Sequence, residues 1–203
     1  RYAERSCGSV GHASALSFDP MKVLSALGSG GAVLTDDDEV AHRIRRLRYH
    51  GRQDGTYLDL GFNSQLSEVS AAALLVKLKH QPFWARRRKA IADYYLRELA
   101  GLPISFPVWS DKVDHVWHKF VLHCEAREPL AAFLKSSGIP TMIHYSRPFH
   151  REPIFARQTS AQFPAASRHA DTALSLPIHA YLTKTETQTI VEAITSFFNR
   201  SHA

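Results

Sequence analysis

The chain has 203 residues, of which 44% are hydrophobic and 22% charged, a composition typical of a globular protein with one large domain or two small ones. No stretch approaches the roughly 20 consecutive apolar residues that cross a bilayer. We therefore expect no membrane-spanning helix in this sequence. The formal net charge of +6 raises the question of nucleic-acid binding.

Two basic runs, at residues 43–48 and 86–89, concentrate positive charge. Both fall in segments with helical apolar periodicity, so the simplest interpretation is two solvated helix faces. No zinc-finger spacing, RNP-like aromatic pattern or helix-turn-helix signature accompanies them. We therefore expect no nucleic-acid partner, and a basic surface also suits an anionic substrate.

Cysteine usage and the first residues bear on the cellular compartment. Cys7 and Cys124 stand far apart and form no C-x-x-C pair, which favours two reduced thiols. The polar segment 1–7 does not resemble a secretory signal. These features predict a cytoplasmic protein.

The first part of the chain predicts two short strands and a helix. Small and apolar residues at 13–18 indicate a buried strand, and 30–35 indicates a second one. Asp36 and Glu39 form a D-x-x-E cap before a helix with an apolar face. A polar loop follows from 51 to 65.

A long helix interrupted by proline is predicted in the middle of the chain. Residues 66–78 have helical apolar spacing, and a second apolar stripe runs through 84–99. Pro82 lies between them and must end or kink the helix, because proline has no amide hydrogen. The pattern indicates a broken helix that carries the chain from one domain into another.

The remainder of the chain mixes strands and helices. Residues 117–123 predict a strand, a helix follows that ends at Gly138, and 141–144 predict another short strand. Thr183 and Glu186 form the capping box of a last helix. This alternation predicts an α/β or α+β class.

Lys22 is the residue with the strongest indication of chemistry. It stands just beyond the first predicted strand and before the glycine-rich segment 28–31. Burial at such a place lowers the pKa of a lysine from its usual ~10.4 and favours a nucleophilic amine. Ser17, five residues earlier, offers a hydroxyl to an anion near the same point. The alternatives are an ordinary exposed lysine and a tight glycine turn, because no GxxxxGK[ST] pattern is present.

Several motifs, in the same order along the chain, resemble the DegT/DnrJ/EryC1/StrS aminotransferases. Ser17-Phe18-x-Pro-x-Lys22, followed by Gly30-Gly31-Ala32-Val33-Leu34-Thr35-Asp36, is similar to the cofactor-lysine segment of that family. The match continues through Ile44–Gly51, Gly61–Glu68, Gly138–His150, Leu174–Pro177 and Thr183. The resemblance covers nearly the whole chain.

The resemblance implies a fold-type-I PLP transferase, an α/β fold like that of aspartate aminotransferase. Residues 1–82 would form the C-terminal part of the large PLP-binding domain. Residues 83–203 would form the small C-terminal α/β domain, entered through the long broken helix.

The resemblance also implies roles for individual residues. Lys22 matches the lysine that binds PLP covalently, and Ser17 matches the serine that hydrogen-bonds the cofactor phosphate. Asn63 matches the asparagine that reaches the phosphate of PLP in the neighbouring subunit, which implies a homodimer. No metal is expected.

A second group of residues lies where the family places a substrate-side loop. This group consists of His144, Tyr145 and His150. Contact with substrate and simple packing against the last helices are equally compatible with the sequence.

The implied activity is transfer of an amino group, from glutamate as donor, to a keto-sugar nucleotide in amino-sugar, polysaccharide or secondary-metabolite biosynthesis. The free amine of Lys22 would move the proton during transfer. Lys22 argues against the family's dehydratases, in which histidine replaces the lysine. Amination of cyclitols and formation of an aminobenzoate stay open.

Several family features have no counterpart in this chain. These are the glycine-Thr/Ser phosphate loop, the aromatic residue that stacks on the pyridine ring, and the Asp that pairs with the ring nitrogen. Without that Asp the ring is a poorer electron sink, so we expect little activity from this chain alone. The alternative is a catalytically inactive fragment or regulatory protein that keeps the fold. Gln65 and His12 also depart from the family pattern.

Overall fold

The computed structural model describes residues 1–155 and 162–200, and the chain divides into two compact units. Unit 1 contains Arg1–Trp84 and Ser110–His115, and unit 2 contains Ala85–Trp109 and Val116–Ala203. Within the described residues, no helix has both the length and the apolar character needed to span a bilayer.

Unit 1 begins with an antiparallel ribbon. Strand β1 (Ser14–Ser17) pairs with β2 (Gly31–Leu34), and Ser17 lies opposite Gly31. The prediction that β1 is buried is wrong, because a two-stranded ribbon leaves both faces largely uncovered. Among the described residues of unit 1, Ala26 and Leu74 are the only buried hydrophobic residues.

Helix α1 (Asp38–Leu47) follows the ribbon. Its N-cap is Asp37, whose Oδ1 accepts hydrogen bonds from the amides of Glu39 at 2.9 Å and Val40 at 3.1 Å. The cap is therefore one residue later than the predicted Asp36. The shift follows from the reach of the carboxylate, which satisfies amides two and three residues ahead.

A small hairpin lies within the predicted polar loop. Strand β3 (Arg52–Gln53) pairs with β4 (Thr56–Tyr57) around Asp54 and Gly55, whose φ angles are 47° and 85°. An Asp-Gly pair is the usual turn sequence of a two-residue hairpin. The Asp54-Gly55 pair therefore indicates a hairpin in the sequence, where only a polar loop was predicted.

Helix α2 (Glu68–Glu98) is a single helix of 31 residues with Pro82 inside it. Of the two predicted effects of Pro82, an end of the helix is wrong, because the helix continues through this residue. Proline removes one amide donor, and the remaining hydrogen bonds of a helix this long carry it through that position.

The described residues of unit 2 contain the C-terminal part of α2, a small sheet and three further helices. Strand β5 (Phe120–His123) pairs antiparallel with β6 (Ala173–Leu176). Single bridges from Ser105 to His123 and from Met142 to Ser175 extend the two edges. The strand predicted at 141–144 is thus reduced to one bridge.

The further helices of unit 2 are α3 (Arg127–Ser136), α4 (Pro164–Thr172) and α5 (Lys184–Arg200), with a 3-10 turn at Phe149–Arg151. The capping box of α5 is confirmed: Thr183 Oγ1 accepts from the amide of Glu186 at 3.1 Å, and Glu186 Oε2 accepts from the amide of Thr183 at 2.7 Å.

Aromatic side chains form the centre of the core of unit 2. The rings of Tyr95 and Phe120 are completely buried and meet edge to face at 5.0 Å. The hydroxyl of Tyr95 donates to the carbonyl of Pro177 at 3.0 Å, so its burial leaves no unsatisfied donor. Burial raises the pKa of Tyr95.

Candidate functional site

The loop between β1 and β2 carries Lys22. It folds back on itself because the amide of Phe18 donates to the carbonyl of Gly30, and the amide of Ala26 donates to the carbonyl of Phe18, both at 2.8 Å. These bonds close the loop at its base and its middle. Lys22 therefore sits on an irregular segment with a defined backbone.

Asp19 organises the turn between Ser17 and Lys22. Its amide donates to Ser17 Oγ at 3.3 Å, its Oδ1 accepts from the amide of Met21 at 2.8 Å, and its carbonyl accepts from the amide of Lys22 at 2.9 Å. A short acidic side chain that bonds a backbone amide two residues on is a common turn device. Asp19 was not singled out from the sequence, although an Asp-Pro pair is an indication of a turn.

The side chains of Lys22 and Ser17 are both exposed. The desolvation of Lys22 that the sequence suggested is therefore not provided by this chain. Within the described residues, Lys22 Nζ makes no hydrogen bond or ion pair, and the Ser17 hydroxyl proton has no acceptor. An unpaired amine and an available hydroxyl donor, five residues apart on one loop, are groups that fit PLP, with Lys22 for the aldehyde and Ser17 for the phosphate.

Asn63 lies on a segment that is bonded to the end of α1. The amide of Phe62 donates to the carbonyl of Leu47 at 2.7 Å, and the amide of Ser64 donates to the carbonyl of Arg48 at 3.0 Å. The backbone on both sides of Asn63 is thereby fixed, and the side chain is exposed.

Arginine side chains dominate a cavity of about 560 Å³ in unit 1. Its lining residues are His42, Arg45, Arg46, Arg48, Tyr49, Arg52, Gln53 and Gln65. Arg46 pairs with Asp59, and it is the only one of these four arginines that forms a salt bridge within the described residues. The cavity therefore carries excess positive charge, and Gln65, a departure from the family pattern, lies in its wall.

The residues predicted for the substrate-side loop belong to unit 2. His144 Nδ1 lies 2.8 Å from Ser175 Oγ, and burial, with the charge of Lys119, lowers the pKa of His144. Tyr145 is 74% exposed, so its ring is available to a ligand. His150 Nε2 lies 3.3 Å from Ser167 Oγ, and its ring packs at 5.0 Å from that of Phe163.

His169 supports this loop, and the ring of His123 packs against that of His169 at 5.0 Å. His169 Nε2 donates to the carbonyl of His144 at 3.0 Å. Thr172 gives its hydroxyl proton to the carbonyl of Arg168 at 2.8 Å, so His123 Nδ1 must be the donor in its 2.9 Å contact with Thr172 Oγ1. Neither histidine was singled out from the sequence, because contacts 25 and 49 residues apart leave no local pattern.

Two arginines of the basic run at residues 86–89 are bonded to backbone carbonyls. Arg88 Nη1 donates to the carbonyls of Trp117 at 3.0 Å, His118 at 3.3 Å and Ile178 at 2.9 Å, and burial lowers its pKa. Arg87 donates to the carbonyl of Leu182 at 2.7 Å. The interpretation of this run as a solvated helix face is therefore wrong for Arg87 and Arg88.

Within residues 1–155 and 162–200, no group of three or more His, Cys, Asp or Glu side chains is placed to hold a metal ion. Cys7 is exposed and Cys124 is buried, and both are free thiols.

Known proteins match nearly the whole chain. The sequence model of the DegT/DnrJ/EryC1/StrS aminotransferase family matches residues 1–195. The dTDP-3-amino-3,4,6-trideoxy-alpha-D-glucose transaminase of Streptomyces venezuelae is 39% identical over 98% of this chain and 54% of its own length. The chain spans about half the length of the curated relatives that it matches.

Solved structures agree with this match. S. venezuelae DesV, in complex with a ketimine intermediate, has a TM-score of 0.93 and 40% identity over 98% of this chain and 55% of its own. NtdA from Bacillus subtilis, with bound cofactor PMP, has a TM-score of 0.86 and 26% identity over 96% of this chain and 48% of its own. The expected α/β fold of a PLP-dependent aminotransferase is thereby confirmed.

Proposed function

Because the chain belongs to the DegT/DnrJ/EryC1/StrS aminotransferase family, we propose that it carries the PLP-binding lysine of an aminotransferase that acts on a keto-sugar nucleotide. The amino donor in this proposal is glutamate, as the family resemblance implies. The setting is amino-sugar biosynthesis, consistent with the name of the S. venezuelae relative.

One observation carries the proposal: no group among the described residues pairs with the amine of Lys22, and the backbone of its loop is fixed on both sides. PLP, when bound, supplies the electron sink that makes amino-group transfer feasible. Lys22 is the residue proposed to bind the cofactor covalently and, when its amine is free, to move a proton to or from the substrate carbon.

Ser17 and Asn63 are the proposed phosphate ligands. Within residues 1–155 and 162–200, the hydroxyl of Ser17 accepts from the amide of Asp19 and donates to no group, so its proton is available to a phosphate oxygen. The amide group of Asn63 is exposed and is proposed to serve the cofactor of a second subunit. This division of the phosphate site requires a homodimer.

The surface of unit 1 supports association with a second subunit. Leu60 is 98% exposed and Phe62 is 68% exposed, on the same segment that carries Asn63. Exposed apolar side chains that occur together, rather than singly, are typical of surfaces that bind another protein. Contact through this segment would place Asn63 at the subunit boundary.

The arginine-lined cavity supports an anionic substrate. Arg45, Arg48 and Arg52 are not neutralised by carboxylates of the described residues, and guanidinium groups bind phosphate oxygens in a bidentate manner. The diphosphate of a nucleotide sugar is negatively charged and would balance the positive charge of this cavity. Arg87 and Arg88 are not proposed for this role, because both are engaged with backbone carbonyls.

His144, Tyr145 and His150 are proposed to contact the sugar. His144 is held by Ser175, and the pKa of its imidazole is lowered by burial, so at neutral pH it offers a neutral hydrogen-bonding group. Tyr145 adds an exposed ring and hydroxyl.

The test is reductive trapping of PLP on the purified chain. Borohydride reduces the bond between the cofactor and its lysine to a stable amine, which peptide mapping locates. We expect the label on Lys22, its loss in Lys22→Ala, and its retention in Lys79→Ala, which alters an exposed lysine of α2. A folded wild-type chain without label on Lys22 would contradict the proposal.

A further inference from the structure

The segment that carries Lys22 is long and irregular. Residues 18–30 join β1 to β2 without helix or strand, and most of their side chains are at least partly exposed. A loop of this kind is held in one conformation only by specific anchors. The bonds of Phe18, Ala26 and Asp19 are anchors within the loop itself.

Helix α2 supplies two anchors from outside the loop. Lys77 Nζ donates to the carbonyl of Ser25 at 2.7 Å and to Ser25 Oγ at 3.2 Å. Ser70 Oγ donates to the carbonyl of Leu27 at 3.2 Å. Ser70 and Lys77 are seven residues apart, which places them two turns apart on the same face of the helix.

Lys77 has no other polar partner within the part of the chain that the structure describes. Its ammonium is partly buried, and its hydrogen bonds go to a neutral carbonyl and a hydroxyl. Hydrogen bonds from a charged donor are about twice as strong as neutral ones. Lys77 therefore holds the loop at Ser25 more firmly than an apolar or neutral side chain would.

We propose that Lys77 is a positioning residue for Lys22, acting through Ser25. Ser25 lies three residues after Lys22, and the bond from the amide of Lys22 to Asp19 holds the other side. The backbone of Lys22 is thus fixed between two anchors, and the direction of its amine depends on both. This inference rests on the proposed function, because Lys22 must be the cofactor lysine for its direction to matter.

The experiment compares Lys77→Met with Lys77→Arg and with Lys79→Met. Methionine keeps the unbranched stem and removes the donor, arginine keeps a charged donor, and Lys79 is an exposed lysine of the same helix. Ser25→Ala, which removes only the 3.2 Å contact, is a milder variant in case Lys77→Met does not fold.

The first measurement is hydrogen exchange of the Ala26 amide in the PLP-free chain. We expect exchange about tenfold faster in Lys77→Met, little change in Lys79→Met and recovery in Lys77→Arg. The amide of Ser64, bonded to the carbonyl of Arg48, is the internal control. Equal acceleration at Ser64 would mean general destabilisation of unit 1 and would overturn the proposal.

The second measurement is the fraction of chain labelled on Lys22 by PLP and borohydride at one limiting PLP concentration. We expect roughly a fivefold loss in Lys77→Met, with recovery in Lys77→Arg. Faster exchange at Ala26 with unchanged labelling would make Lys77 a structural residue only, and overturn the positioning role. A wild-type chain that takes no label on Lys22 would overturn the proposed function itself, together with the role that rests on it.

Discussion

A Cβ atom on Gly61 would lie 1.9 Å from the amide nitrogen of Gly51, so the two glycines pack backbone against backbone. A Cβ on Gly51 would lie equally close, at 1.9 Å, to the carbonyl oxygen of Asp59, and the φ angle of Gly51 is +71°. This close approach holds the segment that carries Asn63 against the end of α1. Only glycine fits at either position.

Gly61→Ala is expected to destabilise unit 1 by at least about 2 kcal/mol, because the added methyl group displaces backbone rather than a flexible side chain. Urea unfolding measures the loss, and hydrogen exchange at the Ser64 amide locates it. Gly11→Ala is the control, because a Cβ there meets its nearest neighbour at an ordinary 3.5 Å. Equal stability of the two variants would show that the Gly51–Gly61 contact has no energetic weight.

Sequence patterns predicted those strands and helix caps that depend only on residues close together in the chain. The two strands of the ribbon followed from short apolar segments, and the capping box of α5 followed from Thr183 and Glu186. The hairpin at 52–57 was missed although Asp54 and Gly55 are typical turn residues. Strand β6 was missed because it has only four residues and follows α4 directly, without a turn to separate them.

The candidate site was less accessible to such patterns. Lys22 was singled out by its place between a predicted strand and a glycine-rich segment, whereas Asn63 was found by resemblance to a family. The roles of both residues stay predictions. The contact of Lys77 with Ser25 joins residues 52 positions apart, and the contact of His169 with His144 joins residues 25 positions apart. Such pairs depend on tertiary structure, and no spacing in the sequence indicates them.

Arg48→Gln, combined with Arg45→Gln, is expected to weaken binding of dTDP to the chain about tenfold or more. Each guanidinium contributes a charge-assisted hydrogen bond to a phosphate, worth roughly 1.5–3 kcal/mol before screening. Calorimetry at low and high salt measures the effect, and the wild-type affinity is expected to fall with salt. Arg86→Gln removes an exposed arginine of α2 and is the control. Equal dTDP affinity in the double variant and the wild type would exclude the arginine-lined cavity as the diphosphate site.

Leu60→Asp is expected to convert a dimer to a monomer, because a carboxylate at a buried interface must be desolvated without a partner. Analytical ultracentrifugation measures the mass of the chain over a range of concentrations. Val108→Asp is a closely matched control, since Val108 is 99% exposed and belongs to unit 2. The proposed dimer surface is wrong if the two variants associate to the same extent, or if the wild type is monomeric.

Arg88→Met is expected to lower the unfolding free energy by about 2–4 kcal/mol, because three carbonyls lose a charged donor. Arg86→Met, at an exposed position of the same basic run, is expected to change it by less than about 0.5 kcal/mol. Urea unfolding of both variants decides the comparison. Similar small losses would restore the interpretation of the run as a solvated face.

Acidification is expected to destabilise unit 2 through His144 and His123. Burial lowers the pKa of both imidazoles in the folded chain, so below the usual histidine pKa of about 6.5 the unfolded chain binds protons that the folded chain does not. Their contribution to stability is therefore present above that pH and is lost as the pH falls through the folded-state pKa values.

Urea unfolding between about pH 5 and pH 8 should show this decline in stability. His144→Asn, which keeps a polar group near the Nδ1 position, should reduce the slope, and His12→Asn, at an exposed position, should keep the wild-type slope. Identical slopes in wild type and His144→Asn would show that His144 takes up no additional proton on unfolding.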